Sequence, residues 1–355
     1  MSELGFRNRK ILFATITEYI ATGEPVGSRT LSRRFELNLS PATIRNVLAD
    51  LEEAGYLAQP HTSAGRIPTD KGFRVFVDAL AQQREVTVDD REAILHKLRS
   101  LRPGVDDLVR ETGRLLSALT GAAAVVLPPP PEAALLAQLR FVPLREGELL
   151  AVIVTRSGGV QNRVVRVERE LESGELERVH NYLAELVRDR TLQQLRHAVA
   201  DEMSSERDRY DQLRRRAKEM LDAAMPQVSE RPDIVIEGQG LLLDHPEFAH
   251  VEKIRTIIHT LEEKEKILEL LDRTLASGGV QVLIGSETEL GEVQDLSVVS
   301  ASYRQAGAST GTLGVIGPTR MDYAKVVPLV GFTAQVMTDL LDGPDAEGGK
   351  PANRD

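Results

Sequence analysis

The segment that begins at Ser40 combines a well-capped helix with an outward line of small, amide and guanidinium side chains. Ser40 is a favoured N-cap residue, and Pro41 suits the first helical position. Apolar residues then follow at the spacing of one buried helix face, namely Ile44, Val47, Leu48 and Leu51. At about 100° per residue, the opposite line consists of Ala42, Asn46, Ala49 and Glu53, flanked by Thr43 and Arg45.

These outward side chains have the chemistry that recognises base edges in the major groove of DNA. Asn46 can pair with adenine, and Arg45 with guanine or a phosphate. The methyl groups of Ala42 and Thr43 can pack on thymine methyls, and the first turns of such a helix are the ones that enter the groove. An ordinary amphipathic surface helix has the same pattern, so the spacing alone leaves both interpretations open.

The elements around this helix predict a winged helix-turn-helix. Residues 56–60 and 66–68 are two short extended runs around a turn, which is the pattern of a hairpin. Further helices are predicted over residues 7–21, from Ser28 and from Thr69. We therefore expect a winged helix-turn-helix DNA-binding domain over residues 1–84.

Basic and polar residues cluster within this predicted domain, on the second helix, on the wing and at the start of the last helix. Such groups can hold phosphates, although each surface charge taken singly is more often only solvated. The candidate DNA-binding residues are Arg29, Arg33, Arg34, Ser40, Ala42, Thr43, Arg45, Asn46, His61, Thr62, Arg66 and Lys71.

The charge of the chain is divided unevenly. Its 355 residues carry a net charge of −10, which by itself argues against a nucleic-acid partner. Residues 1–84, however, hold 11 Lys and Arg against 9 Asp and Glu, and the rest of the chain holds 33 against 45. The acidic excess therefore lies outside the predicted DNA-binding domain.

Composition excludes several classes of function. The chain has no cysteine, which excludes disulfides, cysteine zinc sites and thiolate catalysis and suits a reducing compartment. We find no stretch near the ~18 apolar residues that a membrane span needs and expect a cytoplasmic protein. His245, His250 and His259 match no metal-binding motif, and the glycines at 311, 314 and 317 form no dinucleotide or phosphate-binding motif. We expect no enzyme activity, metal or cofactor.

The remaining chain predicts an α+β protein of several parts. Residues 82–90 are polar and suit a linker, and a helical stretch interrupted at Pro103-Gly104 precedes a proline run at 128–131. A three-stranded meander is expected over 135–167 and helices over 172–225. Beyond a second change of composition at 226–232, the predicted elements are a strand at 234–236, a long helix at about 247–275, strands near 280–284, 296–303 and 313–316, and a last helix at 323–341.

Two long motifs resemble the HrcA family of bacterial heat-inducible transcription repressors. One motif runs through residues 40–46, 51–57 and 60–69, from Ser40-Pro41-Ala42 to Ile67-Pro68-Thr69. The other is the run of residues 314–323, Gly-Val-Ile-Gly-Pro-Thr-Arg-Met-Asp-Tyr. The resemblance therefore spans nearly the whole chain, is weakest in the middle, and leaves out only the tail.

The resemblance implies a domain organisation. The expected parts are a winged-helix domain at 1–84, a discontinuous GAF-like α+β domain at 85–130 and 232–342, an inserted α+β dimerising domain at 131–231, and a disordered tail at 343–355. We place dimerisation on one face of the inserted helices, formed by Tyr210, Leu213, Ala217, Met220 and Leu221. A second apolar stripe, which we expect to pack in the core, consists of Ile254, Ile258, Leu261, Leu268, Leu271 and Leu275.

The resemblance also implies partners and a role. Members of the family repress chaperone operons by binding as homodimers to double-stranded DNA at an inverted-repeat operator called CIRCE. The GroEL chaperonin promotes their active form after heat shock. Two other functions stay open from the residues alone: a ligand-sensing GAF-type transcription regulator and a chaperone-binding scaffold without a DNA role.

Overall fold

Four helices and a short hairpin form the amino-terminal unit. The computed structural model describes residues 4–61, 64–80, 85–100, 105–129, 134–145, 147–156, 159–167, 173–188, 190–205, 211–225, 234–248, 250–277, 279–290, 295–305 and 309–342. The tail at 343–355, for which disorder is predicted, lies outside these residues. The elements of the unit are α1 (Phe6–Thr22), α2 (Ser28–Arg34), α3 (Pro41–Glu53), β1 (Leu57–Ala58), β2 (Ile67–Pro68) and α4 (Asp70–Leu80).

The local sequence explains the boundaries of α3. The Ser40 side chain accepts a hydrogen bond from the Thr43 N–H at 3.1 Å, so it caps the helix as its residue type predicts. The buried residues of α3 are the four predicted ones, Ile44, Val47, Leu48 and Leu51. The turn from α2 to α3 contains Asn38 at a φ of +53°, a left-handed conformation that asparagine tolerates better than most residues.

Two helices and a strand follow: α5 (Val88–Arg99), α6 (Val105–Thr120) and β3 (Ala123–Leu127). The linker predicted over 82–90 is wrong at its end, because Thr87 caps α5 through the Asp90 N–H and the helix buries Ile94 and Leu98. β3 was not predicted. All five of its residues are buried, and such a continuous apolar run has no periodicity that separates a strand from a helix.

A unit with its own hydrophobic core comes next in the chain. Its elements are β4 (Leu136–Arg145), β5 (Glu148–Thr155), β6 (Val160–Arg166), α7 (Ser173–Leu186), α8 (Leu192–Ser205) and α9 (Asp211–Ala224). The three strands form an antiparallel sheet in the order β4-β5-β6, which confirms the predicted meander and the helices after it. We call this part of the chain the insert.

The helix face to which the sequence analysis assigned dimerisation lies inside the insert. Ala217, Met220 and Leu221 are at most 1% exposed and belong to the core of the insert, and Leu213 packs against that core. Tyr210 lies outside the described residues. The face is apolar because it packs on the chain's own sheet, so the assignment to dimerisation is wrong for these side chains.

A five-stranded antiparallel sheet combines β3 with the strands that follow the insert. Its order is β7-β3-β10-β9-β8, so the chain leaves this sheet after β3 and returns to it beyond the insert. The remaining elements are β7 (Val235–Glu237), α10 (Gln239–Leu243), α11 (Val251–Glu262), α12 (Lys264–Ser277), β8 (Val280–Ile284), β9 (Leu296–Gln305), β10 (Ser309–Pro318) and α13 (Tyr323–Asp342).

The long helix predicted at 247–275 is two helices, α11 and α12, interrupted at Glu263. Glu263 has a ψ of 69°, outside the helical range, and the change of direction lets both helices pack on one face of the sheet. Most of the second apolar stripe is core, as predicted, since Leu261, Leu268 and Leu271 are buried there. Ile258 is the exception, at 41% exposed.

One hydrophobic core joins the amino-terminal unit to the opposite face of the sheet. It includes Ile11 and Phe73 of the amino-terminal unit, Val315 of β10, and Val330 and Met337 of α13. By length and composition α13 could cross a membrane, contrary to the sequence expectation, and no other helix among the described residues meets that test. Here it packs on the sheet as a core helix.

The insert contains a histidine whose protonation should weaken it. His180 Nε2 accepts a hydrogen bond from the Phe141 N–H of the edge strand β4 at 2.9 Å, and the two rings stack. Burial, helped by the nearby Arg140 charge, lowers the pKa of His180 below its ordinary value, although the Glu177 charge opposes this. Protonation of Nε2 would remove its capacity to accept the bond.

We expect the stability of the chain to fall as the pH falls below the ordinary histidine range, about 6.5, because the unfolded chain then binds a proton that the folded one resists. His180→Gln keeps a hydrogen-bond acceptor but does not titrate. Urea unfolding at pH 7.5 and pH 5.5 should therefore show a larger acid loss for the wild type than for His180→Gln. Equal losses in the two proteins would contradict this role of His180.

Candidate DNA interface

The outward face of α3 is open to solvent. Ala42, Arg45, Asn46 and Ala49 are exposed, whereas Thr43 is half-buried, with its hydroxyl 2.9 Å from that of Ser40. The two halves of this face differ in charge, since Asp50 and Glu53 are exposed in the last turns. Because DNA repels carboxylates, the amino-terminal half is the part of α3 suited to enter a groove, as the sequence predicts.

The three arginines of α2 have different surroundings. Arg29 and Arg33 are exposed and make no ion pair within the described residues. Arg34 donates to Glu18 Oε1 at 2.8 Å, and the Glu18 side chain is only 7% exposed, against 60% for Arg34. Arg34 therefore neutralises a buried carboxylate of α1 in addition to any phosphate contact.

This difference gives Arg33→Ala and Arg34→Ala different expected results. Arg33→Ala should leave stability unchanged and reduce the slope of log K against log salt for DNA binding by about 0.9, the loss of one phosphate contact. Arg34→Ala should in addition destabilise the chain by about 1–3 kcal/mol, because Glu18 loses its partner. Urea unfolding and salt-titrated binding measure the two effects, and equal stability of both variants would contradict the distinction.

The wing is fixed to the helical part of the unit by its backbone and by one ion pair. Arg66 exchanges two backbone hydrogen bonds with Val26, at 2.8 and 2.9 Å. Its guanidinium lies 2.7 Å from Glu52 Oε2 of α3 and is 19% exposed, so it braces the wing against α3. At Gly65 a Cβ would lie 2.5 Å from the Val26 carbonyl carbon, and this close approach requires glycine.

The remaining predicted contacts lie around this wing. His61 is exposed at the start of the connection from β1 to β2, and Thr62 lies outside the described residues. Lys71 is exposed but donates to the Ala54 carbonyl at 2.8 Å and lies over the Tyr56 ring. The chain therefore gives Lys71 a structural partner at the end of α3.

Sequence reasoning missed a set of polar residues that join the amino-terminal unit to the five-stranded sheet. Asp70 and Arg74 of α4 contact the segment at 282–287, and Arg320 pairs with Glu247 and donates to the Ile20 carbonyl at 3.3 Å. Their partners are distant in sequence, so no local spacing could reveal them. Arg320 was considered as a partner of Asp322, but its ion pair is with Glu247.

Within the described residues there is no group of three or more His, Asp or Glu placed to hold a metal ion. His245 is 3.3 Å from the Gly121 carbonyl, and His259 is beside Glu263. Gly311, Gly314 and Gly317 lie in β10, where added Cβ atoms would meet neighbouring groups at 2.4–2.8 Å. These glycines permit close packing, as the discounted phosphate-binding interpretation implies.

Comparisons with known proteins agree with the motifs. The family model described as "HrcA protein C terminal domain" matches residues 106–327. A protein of Sorangium cellulosum named "Heat-inducible transcription repressor HrcA" is 52% identical over 96% of this chain and 99% of its own. One of the same name from Syntrophobacter fumaroxidans is 43% identical over 97% of this chain and 99% of its own.

A solved structure described only as that of a hypothetical protein, at 2.2 Å resolution, has the same fold. It is 23% identical, covers 96% of this chain and 99% of its own, and has a TM-score of 0.63. The relatives carry the name of a regulator, which is a non-enzymatic role. The chain belongs to the HrcA family of heat-inducible transcription repressors.

Proposed function

We propose that the amino-terminal unit is a winged helix-turn-helix and that α3 is its recognition helix. The observation that carries this proposal is the open, uncharged-to-basic first half of α3, with Asn46 and Arg45 exposed beside Ala42. Phosphate contacts would come from Arg29, Arg33 and Arg34, and further contacts from Thr43 and Ser40 at the N-cap. His61, Thr62, Arg66 and Lys71 complete the proposed surface, with Arg66 and Lys71 also serving as braces.

The proposed target is the inverted-repeat operator of chaperone operons, CIRCE, read by a homodimer in the cytoplasm. An inverted repeat presents two half-sites related by a two-fold axis, which a two-fold symmetric dimer can read with one α3 in each half-site. The proposed domains are those expected from the sequence: 1–84, then a GAF-like domain at 85–130 and 232–342 that is interrupted by the dimerising domain at 131–231. The return of the chain to one sheet after the insert supports this division.

For the dimer interface we propose the outer face of the sheet formed by β4, β5 and β6. Val142 is opposite Leu150, which is opposite Val164, so these residues form one row across the three strands. Val142 and Val164 are 45% and 58% exposed, and Val160 nearby is 61% exposed. α7 and α9 cover the other face. An apolar sheet face left open to water in a small unit favours a second copy as its cover.

Binding to matched duplexes tests this function. The full chain is titrated onto an inverted repeat selected by the protein from random duplexes, and onto a scrambled duplex, at several salt concentrations. We expect tighter binding to the selected repeat by a factor of ~10³ or more near physiological salt. Equal affinity for the two duplexes at every salt concentration would contradict sequence-specific repression.

Heat and the GroEL chaperonin are the proposed regulators. We propose that heat loosens the contacts between units, so that the two copies of α3 lose their spacing, and that the chaperonin restores the competent dimer. The low aromatic content, 4%, and the absence of disulfides support modest stability. Purified dimer that keeps its operator affinity through the heat-shock range without chaperonin would contradict this mechanism.

A further inference from the structure

The first turn of α4 contacts a segment of the five-stranded sheet through two charged side chains. The Asp70 carboxylate accepts hydrogen bonds from the Ser286 N–H at 3.0 Å and the Ser286 hydroxyl at 2.7 Å. Arg74 donates to Glu287 Oε1 at 3.0 Å and to the Val282 carbonyl at 2.6 Å, and it also reaches the second Glu287 oxygen. We call these contacts the α4 joint.

Both charged groups of the joint are held in place. Burial lowers the pKa of Arg74, but the hydrogen bonds and charge of Glu287 outweigh burial and keep that pKa above its ordinary value. Glu287 in turn accepts from the Ile284 N–H at 2.9 Å. A bidentate guanidinium–carboxylate pair has a defined orientation, so the joint fixes an angle as well as a distance.

The same turn of α4 also holds the end of α3. Thr69 donates its hydroxyl to the Gly55 carbonyl at 2.7 Å, and Lys71 donates to the Ala54 carbonyl at 2.8 Å. At Gly72 a Cβ would lie 2.3 Å from the Tyr56 carbonyl oxygen, so the two backbones are in close contact. The carboxyl end of α3 therefore rests directly on the turn that carries Asp70.

Alternate residues of one short segment thus face two different parts of the molecule. Thr69 and Lys71 hold the end of α3, whereas Asp70 and Arg74 hold the segment at 282–287 of the sheet. Rotation of α3 relative to the sheet would have to break one of these two sets of contacts. Phe73, between the rings of Tyr19 and Tyr323, fills the space beneath them.

We infer that Asp70 and Arg74 are positioning residues that set the angle at which α3 meets DNA, and so the spacing of half-sites that the dimer accepts. This inference rests on the proposed function. In a dimer with a rigid joint, the second α3 has a high effective concentration at one half-site spacing only. With a loose joint, that concentration is lower and varies less with spacing.

The experiment compares the full chain with Arg74→Glu, Glu287→Arg and the double variant that exchanges the charges. Each protein is titrated onto a single half-site, onto the inverted repeat selected by the wild type, and onto repeats whose spacer is lengthened or shortened by about half a helical turn, ~5 bp. Asp70→Asn and Ser286→Ala form a gentler pair that removes contacts without introducing a repulsive charge.

We expect the wild type to prefer the selected spacing at least ~10-fold over the altered ones. Each single charge reversal should reduce this preference to about 2-fold while half-site affinity changes by less than about 2-fold, and the charge exchange should restore most of it. Asp70→Asn should reduce the preference in the same direction but less.

The possible failures are distinguishable. A wild type that does not prefer the selected half-site over a scrambled one contradicts the proposed function itself. A spacing preference that is unchanged in Arg74→Glu, Glu287→Arg and Asp70→Asn overturns the inference, while the proposed function stands. Should a charge reversal fail to fold, an unchanged preference in Asp70→Asn and Ser286→Ala overturns it as well.

Discussion

Val164→Lys should dissociate the dimer and lower operator affinity, because it places a charge at the centre of the proposed interface. Val164 is 58% exposed in the single chain, so the substitution should cost the isolated fold little. In the dimer the ammonium group would be buried against Leu150 and its symmetry copy. An unpaired buried charge costs several kcal/mol, and a cost of about 3 kcal/mol corresponds to a ~100-fold rise in the dimer Kd.

Sedimentation equilibrium over a range of protein concentrations measures this change, and titration of the operator shows its consequence. Val88→Lys is the matched control, because Val88 is 70% exposed on α5, away from the insert. The control should sediment as the wild type does. Unchanged self-association of Val164→Lys would mean that the dimer uses another surface and would contradict the interface.

Asn46→Ala should remove sequence discrimination without removing binding. Asn46 is exposed in the third turn of residues from the Ser40 cap, on the side of α3 opposite Ile44 and Leu48. A bidentate amide contact with adenine contributes about 1–3 kcal/mol to discrimination. The ratio of affinities for operator and scrambled duplex should therefore fall by about 5- to 150-fold, and affinity for the scrambled duplex should stay unchanged.

Asp50→Ala provides the comparison on the same helix. Asp50 is exposed four residues further along, in the acidic half that we place outside the groove. Loss of its charge should strengthen binding to both duplexes slightly and equally, since it removes a repulsion from phosphates. If Asn46→Ala weakens binding to the two duplexes by the same factor, the contribution of Asn46 is not base readout.

The sequence predicts α3 well because everything that defines α3 is local. The cap at Ser40, the proline after it and four apolar residues at helical spacing lie within 12 residues, and each has the predicted place in the structure. The meander β4 to β6 is predicted for the same reason, from alternating strands separated by short turns. Local propensity and tertiary packing agree in these elements.

The errors occur where long-range packing decides. The apolar run of β3 becomes a strand because it pairs with both β10 and β7, which begin more than 100 residues later. The apolar face of α9 is covered by the chain's own core, and an apolar stripe looks the same whether it packs on its own chain or on a partner.

Candidate site residues show the same limit. Residue type and spacing identify Asn46 and Arg45 as outward-facing side chains of α3, and both are exposed. They do not reveal that Arg34 neutralises Glu18 or that Arg66 pairs with Glu52, since these partners lie on other elements. The α4 joint is beyond sequence reasoning, because Asp70 and Ser286 are 216 residues apart.

Methylation interference on the selected operator tests the central claim most directly, since N7 of guanine lies in the major groove. Duplexes methylated sparsely at this atom are separated into those that the full chain binds and those that it does not. The account predicts interference at guanines of both half-sites, in positions related by the two-fold axis. Interference confined to one half-site, or none at major-groove positions, would contradict a symmetric dimer that reads DNA through α3.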